Sequence, residues 1–129
     1  MASHHTLAEG MRDTVCFLSG ACEIYAISAY MDETKLEDQI QDVFSNFDAT
    51  DEIFIFTDML GGSVNQTFYP YMKEQVHLLC GMNLPLVLAV ALAPETHMTK
   101  AALTELLSQA QQQIIYINDY EAASAADDE

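Results

Sequence analysis

The sequence IFIFTDMLGGS, residues 53–63, decides the fold class, because it joins a buried strand to a glycine-rich loop. Residues 53–57 are apolar on both faces, which indicates a parallel strand covered on both sides rather than a half-exposed antiparallel one. Asp58 follows at once, and a Gly-Gly-Ser turn at residues 61–63 precedes a predicted helix. Sites in parallel sheets lie beyond the carboxyl ends of the strands, so this loop is expected to contribute to a site.

Short apolar runs and helix-period patterns alternate on both sides of this loop. Further strands are predicted at residues 24–28, 76–80 and 114–117. Helices are predicted at residues 6–18, 35–47, from about 84, and 99–112, with another after Ser63 that Pro70 complicates. This alternation predicts an α/β fold over residues 1–120, a single domain with a doubly wound, mostly parallel sheet and helices on both faces. The small, acidic tail at residues 121–129 is predicted to be disordered.

The first helix has sequence signals at both of its ends. Thr6 and Glu9 fit a capping box, in which Thr6 caps the helix and Glu9 reaches back from the third helical position. Gly20 stands where a helix-ending glycine is expected. These signals place His4 immediately before the start of a helix.

Composition and charge restrict the classes of partner. A chain of 129 residues suits one compact domain with a core of its own. Twenty acidic residues face four basic ones, for a formal net charge of −16. Such a surface repels nucleic acids and anionic membranes and attracts a basic protein partner, although the same charge would also serve solubility alone.

The sequence predicts no membrane span, signal peptide, disulfide or zinc site. The longest apolar run, residues 84–93, has ten residues and contains a proline, whereas a membrane-spanning helix needs about 20. The N-terminus lacks the pattern of a signal peptide, so the cytoplasm is the expected compartment. The cysteines, Cys16, Cys22 and Cys80, are odd in number and form no CxxC pair, which favours reduced thiols over disulfides or a zinc site.

His4 is the leading candidate for chemistry. A neutral imidazole is a good nucleophile near neutral pH, and phosphohistidine is labile enough to pass its phosphoryl group onward. The N–H groups of a following helix would favour the added negative charge. Residues 1–5 could instead be the stump of a vector tag, but the histidine run is short and merges directly into the capping box. His5 has no assigned role, since two adjacent histidines alone make a weak metal site.

The loop after the buried strand supplies the other candidates. Asp58 could accept the Nδ1–H of His4 and leave Nε2 free to attack, or it could only cap the following turn. Gly61, Gly62 and Ser63 offer N–H groups and a hydroxyl for an anion, or an ordinary helix N-cap. Residues 81–85 could add a third wall, or form a plain strand-to-helix turn. Cys80, His77 and His97 are interpreted as packing or surface residues.

Three stretches together resemble the enzyme IIA components of the mannose/fructose/sorbose family of the bacterial phosphotransferase system (PTS). They are SHHTLAEGM at residues 3–11, FTDMLGGS at 56–63 and GMNLP at 81–85. By these motifs, His4 falls on the family's phosphorylated histidine, Asp58 on the carboxylate that hydrogen-bonds it, and Ser63 on the serine of the phosphate-binding loop.

The resemblance also implies a cycle and an assembly. The phosphocarrier HPr would donate to His4, and the enzyme IIB component would take the phosphoryl group toward an incoming sugar. A homodimer is implied, in which the last strand packs across to the partner subunit. No metal, nucleotide or other cofactor is implied.

Two features depart from the family pattern. Members carry an apolar first strand before the histidine, and residues 1–3 leave room for almost none of it. The expectation is that the native start lies upstream or that the sheet is shortened. Val64 stands where the family has proline in its GGSP loop, followed by Asn65 and Gln66, so the loop is expected to be less rigid.

Two other functions stay open. One is the related phosphotransfer subunit that serves a dihydroxyacetone kinase instead of a permease. The other is a non-catalytic signalling or interaction domain, with Asp58 as a receiver-like phosphoacceptor. Receiver domains need an acidic pair after the first strand and a lysine after the last, whereas this chain has histidines there and Lys100 in a predicted helix.

Overall fold

Four parallel strands form the sheet of the computed structural model, which describes residues 1–21, 23–94 and 97–120. In chain order they are β1 (Ala2–His4), β2 (Ile27–Ala29), β3 (Ile53–Thr57) and β4 (Val76–Cys80). Their order across the sheet is β2-β1-β3-β4. The α/β class and the parallel sheet predicted from residues 53–57 are confirmed.

The strand order places the loop after β3 beside the end of β1. From β1 the chain moves outward to β2, then returns past β1 to β3 on the other side. Ala2 pairs with Thr57 across that junction, and His4 pairs with Ala29 of β2. A reversal of this kind opens a crevice between the carboxyl ends of the two central strands. His4 and Asp58 therefore lie on the two sides of the same crevice.

Helices cover both faces of the sheet. They are α1 (Leu7–Ser19), α2 (Leu36–Phe44), α3 (Ser63–Thr67) and α4 (Leu84–Ala91). Within residues 1–97, which form one compact unit, α1 contacts α4, and α2 contacts α3. Residues 98–120 belong to a second unit, which contains α5 (Lys100–Gln111). The N-cap of this helix, Thr99, accepts a hydrogen bond from the Ala102 N–H at 3.1 Å.

The core between the sheet and the α2–α3 side fixes the position of the glycine-rich loop. Ile55 of β3 packs in one buried cluster with Ile40 of α2 and with Val64 and Phe68 of α3. Val64, which stands where the resembled family has proline, has no exposed surface. Next to it, Asn65 accepts a 2.6 Å hydrogen bond from the buried Thr57 hydroxyl at the end of β3. Through these contacts α3, and Ser63 at its start, are anchored to the central strand.

The capping box predicted for α1 is wrong, although the helix and its terminal Gly20 are confirmed. Thr6 has φ −88° and ψ 5°, outside the extended conformation of most N-caps, and its side chain accepts no capping hydrogen bond. The buried Ser3 takes over instead. Its Oγ accepts from the Ala8 N–H at 2.8 Å and donates to the His5 carbonyl at 3.0 Å. Ser3 thus holds the turn that presents His4.

The strand predicted at residues 114–117 is also wrong for the single chain. Residues 114–116 have no regular structure, and residues 117–120 are helical. The run is apolar and β-branched, but within the described chain no neighbouring strand pairs with it, and an unpaired strand leaves its N–H and C=O groups unsatisfied. Elsewhere β2 begins at Ile27 rather than at residue 24, and Pro70 lies in a 3₁₀ helix, Tyr69–Tyr71.

Some sequence predictions fall outside what the structure describes or tests. The acidic tail, residues 121–129, and Cys22 lie outside the described residues. The domain boundary at residue 120 stays a prediction. Cys16 and Cys80 are free thiols. Among the described helices, none combines the length and apolar character of a membrane-spanning segment.

Candidate functional site

Asp58 holds His4 through both its imidazole and its backbone. Asp58 Oδ2 lies 2.7 Å from His4 Nδ1 and also accepts the His4 backbone N–H at 2.7 Å. The other oxygen, Oδ1, accepts the Met59 N–H at 3.0 Å. Asp58 therefore both orients His4 and caps its own turn. An ionised carboxylate only accepts hydrogen bonds, so Nδ1 carries the proton and Nε2 keeps its lone pair.

The environment keeps Asp58 ionised. Burial by itself raises the pKa of the Asp58 carboxyl, but the hydrogen bonds from the His4 backbone and imidazole, the His4 charge and the Met59 N–H together lower the pKa below its ordinary value. The His4 side chain is 41% exposed, whereas that of Asp58 is 9% exposed. The pair thus combines a sheltered, charged carboxylate with an imidazole that a second molecule can reach.

The lowered pKa of Asp58 predicts a pH-dependent contribution to stability. A carboxylate with a depressed folded-state pKa stabilises the fold fully above its unfolded pKa, about 3.9, and loses this contribution as the pH falls through the lower folded value. We expect Asp58→Asn to lower the free energy of unfolding at neutral pH, and the difference from wild type to shrink below about pH 4. Urea unfolding of both proteins at pH 7 and pH 3 measures this difference in the free energy of unfolding. A difference that grows on acidification would contradict the lowered pKa of Asp58.

The glycine loop lies directly against the His4 ring. Gly61 has φ +78°, a backbone conformation that glycine adopts without strain. Gly62 has an ordinary backbone, but a Cβ there would lie 3.4 Å from His4 Cε1 and 3.2 Å from the Met59 carbonyl oxygen. Its N–H donates to that carbonyl at 3.2 Å and is therefore used inside the loop. A glycine at residue 62 therefore lets the loop backbone approach the His4 ring closely. Ser63 follows Gly62 at the start of α3.

Tyr30 also belongs to the candidate site, although no sequence motif marked it. Its hydroxyl oxygen lies 2.6 Å from Ser63 Oγ, and its ring centroid lies 5.4 Å from that of His4 at an interplanar angle of 46°. The available signal was its position directly after β2, since neighbouring parallel strands end at the same edge of a sheet. The pairing of β2 with β1 could not be read from the sequence.

Residues 81–85 form the plain strand-to-helix turn that was one of their two interpretations. The Gly81 and Met82 N–H groups donate to the Thr57 carbonyl at 3.0 and 2.9 Å. The Asn83 side chain caps α4 by accepting from the Leu86 N–H at 3.0 Å. Pro85 lies in the first turn of that helix, as predicted. These contacts are structural, and they tie the end of β4 to the end of β3.

His77 and His97 meet at Glu52, a cluster that no sequence pattern predicted. His77 Nε2 lies 3.1 Å from one Glu52 oxygen, and His97 Nδ1 lies 2.9 Å from the other. The His77 ring stacks on Phe54 with centroids 5.0 Å apart. Glu52 precedes β3, so this cluster lies at the amino end of a strand whose carboxyl end leads to Asp58.

Comparison with known proteins identifies the family. Residues 1–108 match the family described as PTS system fructose IIA component. The chain belongs to this family. The resemblance inferred from the three sequence motifs is therefore confirmed, and the protein is a IIA component of the sugar phosphotransferase system.

Solved structures agree with this membership. One is a protein from Klebsiella pneumoniae described as a candidate phosphoenolpyruvate-dependent sugar PTS permease. It is 33% identical in sequence with a TM-score of 0.82, and the match covers 91% of this chain and 88% of the Klebsiella chain. A PTS IIA protein associated with the fucose utilization operon of Streptococcus pneumoniae is 19% identical, with a TM-score of 0.76 and coverages of 92% and 91%.

A mannose/sorbose-specific IIA subunit from Enterococcus faecalis is 18% identical, with a TM-score of 0.65 and coverages of 88% and 89%. At these identities the Streptococcus and Enterococcus structures show a shared fold. A search of curated proteins found no significant match.

Proposed function

We propose that this IIA protein accepts a phosphoryl group from phospho-HPr on Nε2 of His4 and passes it to enzyme IIB during sugar uptake. The observation that carries the proposal is the 2.7 Å contact between His4 Nδ1 and Asp58 Oδ2 at the carboxyl edge of the sheet. This contact directs the other ring nitrogen, Nε2, away from the carboxylate. Family membership supplies the setting in which a nucleophilic histidine of this kind has a donor and an acceptor.

The transfer balances without any further reactant. The Nε2 lone pair forms a new N–P bond as the phosphorus–nitrogen bond of the donor phosphohistidine breaks, and the donor imidazole leaves with that electron pair. Positive charge develops on the His4 ring as the bond forms, and the Asp58 carboxylate stabilises it. The second transfer reverses these roles, with His4 as the leaving group and a nucleophile on enzyme IIB as the acceptor.

The glycine loop gives the phosphoryl group its surroundings. Gly62 leaves room beside His4 Cε1, the ring carbon next to Nε2. Ser63 follows with an exposed hydroxyl that can donate a hydrogen bond to a phosphoryl oxygen. Positioning and charge stabilisation then account for the rate, and the proposal includes no metal or nucleotide cofactor.

The charge of the chain fits a protein partner that presents a basic surface. A net charge of −16 steers such a partner toward this protein and disfavours nucleic acid. The proposal places the protein in the cytoplasm, where the phosphoryl donors are. It also includes a homodimer joined through residues 114–117, all of which are exposed in the single chain. Sedimentation as a monomer at micromolar concentration would contradict the dimer.

The alternative with Asp58 as phosphoacceptor has little support in the geometry. Both oxygens of Asp58 already accept hydrogen bonds, two from His4 and one from Met59. An incoming phosphoryl group would have to break some of these contacts. A dihydroxyacetone kinase as the final acceptor would use the same histidine, so the identity of the acceptor protein separates that alternative from a permease.

Reconstituted transfer tests the proposal. The protein is incubated with phosphoenolpyruvate, enzyme I and HPr, and its intact mass and peptides are analysed under alkaline conditions. The expected product carries one phosphate that is lost in acid and discharged by enzyme IIB. Omission of HPr is the control. No phosphate on a folded protein, or a phosphate removed as an acyl phosphate by hydroxylamine, would contradict the proposal.

Gly62→Ala should impair this transfer. The added Cβ would lie 3.0 Å from Met59 Cγ and 3.2 Å from the Met59 carbonyl oxygen, so the loop at Met59 must shift by a few tenths of an ångström beside the His4 ring. We expect phosphorylation to slow about tenfold, since small misplacements at a reacting centre are costly. The matched control is Gly10→Ala on α1, where a Cβ meets nothing within 4 Å. Equal initial rates for both variants would contradict the role given to Gly62.

A further inference from the structure

Tyr30 connects two parts of the site that the proposed function uses. Its hydroxyl lies 2.6 Å from Ser63 Oγ, and its ring lies beside the His4 imidazole. Tyr30 reaches both because β2 runs parallel to β1 with Ala29 opposite His4, so the residue after Ala29 emerges at the same edge. The side chain therefore spans the distance between the acceptor imidazole and the hydroxyl of the glycine loop.

The backbone at Tyr30 is held in an unfavourable conformation. Its φ is +66°, in the left-handed region that residues with a Cβ rarely adopt. Tyr30 is 51% exposed, so burial in the core does not explain why its backbone keeps this conformation. Backbone outliers that persist in this way cluster at functional sites. The short contact with Ser63 is the interaction that this conformation makes possible.

We infer that Tyr30 is a positioning residue that orients the Ser63 hydroxyl toward the phosphoryl group on His4, an inference that rests on the proposed function. The two hydroxyls share a single hydrogen bond, and the phenolic O–H is the more acidic donor. When Tyr30 donates to Ser63 Oγ, Ser63 keeps its own O–H for a phosphoryl oxygen. Each hydrogen bond in such a chain strengthens the next, which favours the charge that builds up during transfer.

The ring and the hydroxyl of Tyr30 can be separated experimentally. Tyr30→Phe keeps the ring beside His4 and removes only the hydroxyl. We expect the rate of phosphorylation by phospho-HPr to fall about tenfold, the effect of losing one well-placed hydrogen bond, with unchanged thermal unfolding. The control is Tyr25→Phe, whose ring packs edge-on against Phe47 and whose hydroxyl makes no hydrogen bond with the described residues.

A double-mutant cycle distinguishes positioning of Ser63 from an independent effect. If Tyr30 acts through Ser63, then Tyr30→Phe slows the wild type but does not further slow Ser63→Ala. Equal slowing in both backgrounds, or a Tyr30→Phe rate equal to wild type, overturns the inference while the proposed function stands. A wild-type protein that takes no phosphate overturns both. Both are supported if the wild type is phosphorylated and Tyr30→Phe slows phosphorylation in the wild type but not in Ser63→Ala.

Discussion

His4→Ala is expected to reduce phosphoryl acceptance from phospho-HPr to background, while His5→Gly accepts phosphate at the wild-type rate. The reason is the asymmetry between two adjacent imidazoles. His4 Nδ1 is hydrogen-bonded to the partly buried carboxylate of Asp58, whereas the His5 side chain makes no hydrogen bond with the described residues. The nucleophile of a transfer reaction has no substitute among its neighbours unless another group has the same orientation and activation.

Glycine is the appropriate replacement at residue 5. His5 has φ +55°, a conformation in which a residue with a Cβ, such as alanine, is strained and glycine is not. The hydrogen bond from the His5 N–H to the Ala29 carbonyl at 3.0 Å is kept in this variant. Circular dichroism checks that both variants are folded, and intact mass measures the phosphate. A phosphorylated His4→Ala, or an unphosphorylated but folded His5→Gly, would contradict the assignment.

Asp58→Asn is expected to slow transfer by at least about a hundredfold, since replacing a triad carboxylate by its amide costs roughly ten-thousandfold in rate. Both carboxylate oxygens accept N–H groups, from His4 on one side and from Met59 on the other. An amide must turn its NH₂ toward one of these donors, so it either disturbs the imidazole or opens the turn. It also removes the negative charge that stabilises the phosphorylated ring.

Rapid-quench measurement of phosphate uptake tests this prediction. The control is Asp13→Asn, which removes a charge from the exposed face of α1 without touching the site. Both variants have the same net charge, so a general effect on docking of a basic partner would appear in both. Comparable rates for Asp58→Asn and Asp13→Asn would show that the carboxylate does not orient the nucleophile.

Two neighbouring strands, β3 and β4, and the pairing of His4 with Asp58 could be predicted from the sequence. Residues 53–57 and 76–80 form strands with the predicted bounds, since their apolar runs are bounded by Asp58 and Gly81. The meeting of His4 with Asp58 follows from a general property of parallel sheets, whose carboxyl ends share one edge.

The incorrect or missing predictions depend on long-range strand pairing and on backbone dihedral angles. Residues 114–117 have the composition of a strand, but a strand needs a neighbour, and sequence alone does not supply one. Tyr30 reaches the site only because β2 pairs with β1. Thr6 fits a capping motif, but its φ and ψ leave the capping contact to Ser3. Each error concerns a partner that is distant in the chain or a local geometry that the motif does not fix.

The position of the phosphate on the His4 ring tests the account most directly. Long-range ¹H–¹⁵N correlation spectra of the phosphorylated protein, labelled in its histidines, distinguish phosphate on Nε2 from phosphate on Nδ1. Because Asp58 Oδ2 holds Nδ1 at 2.7 Å, the account predicts phosphate on Nε2 of His4, with Nδ1 still protonated. Phosphate on Nδ1 of His4, or on any other residue, would contradict it.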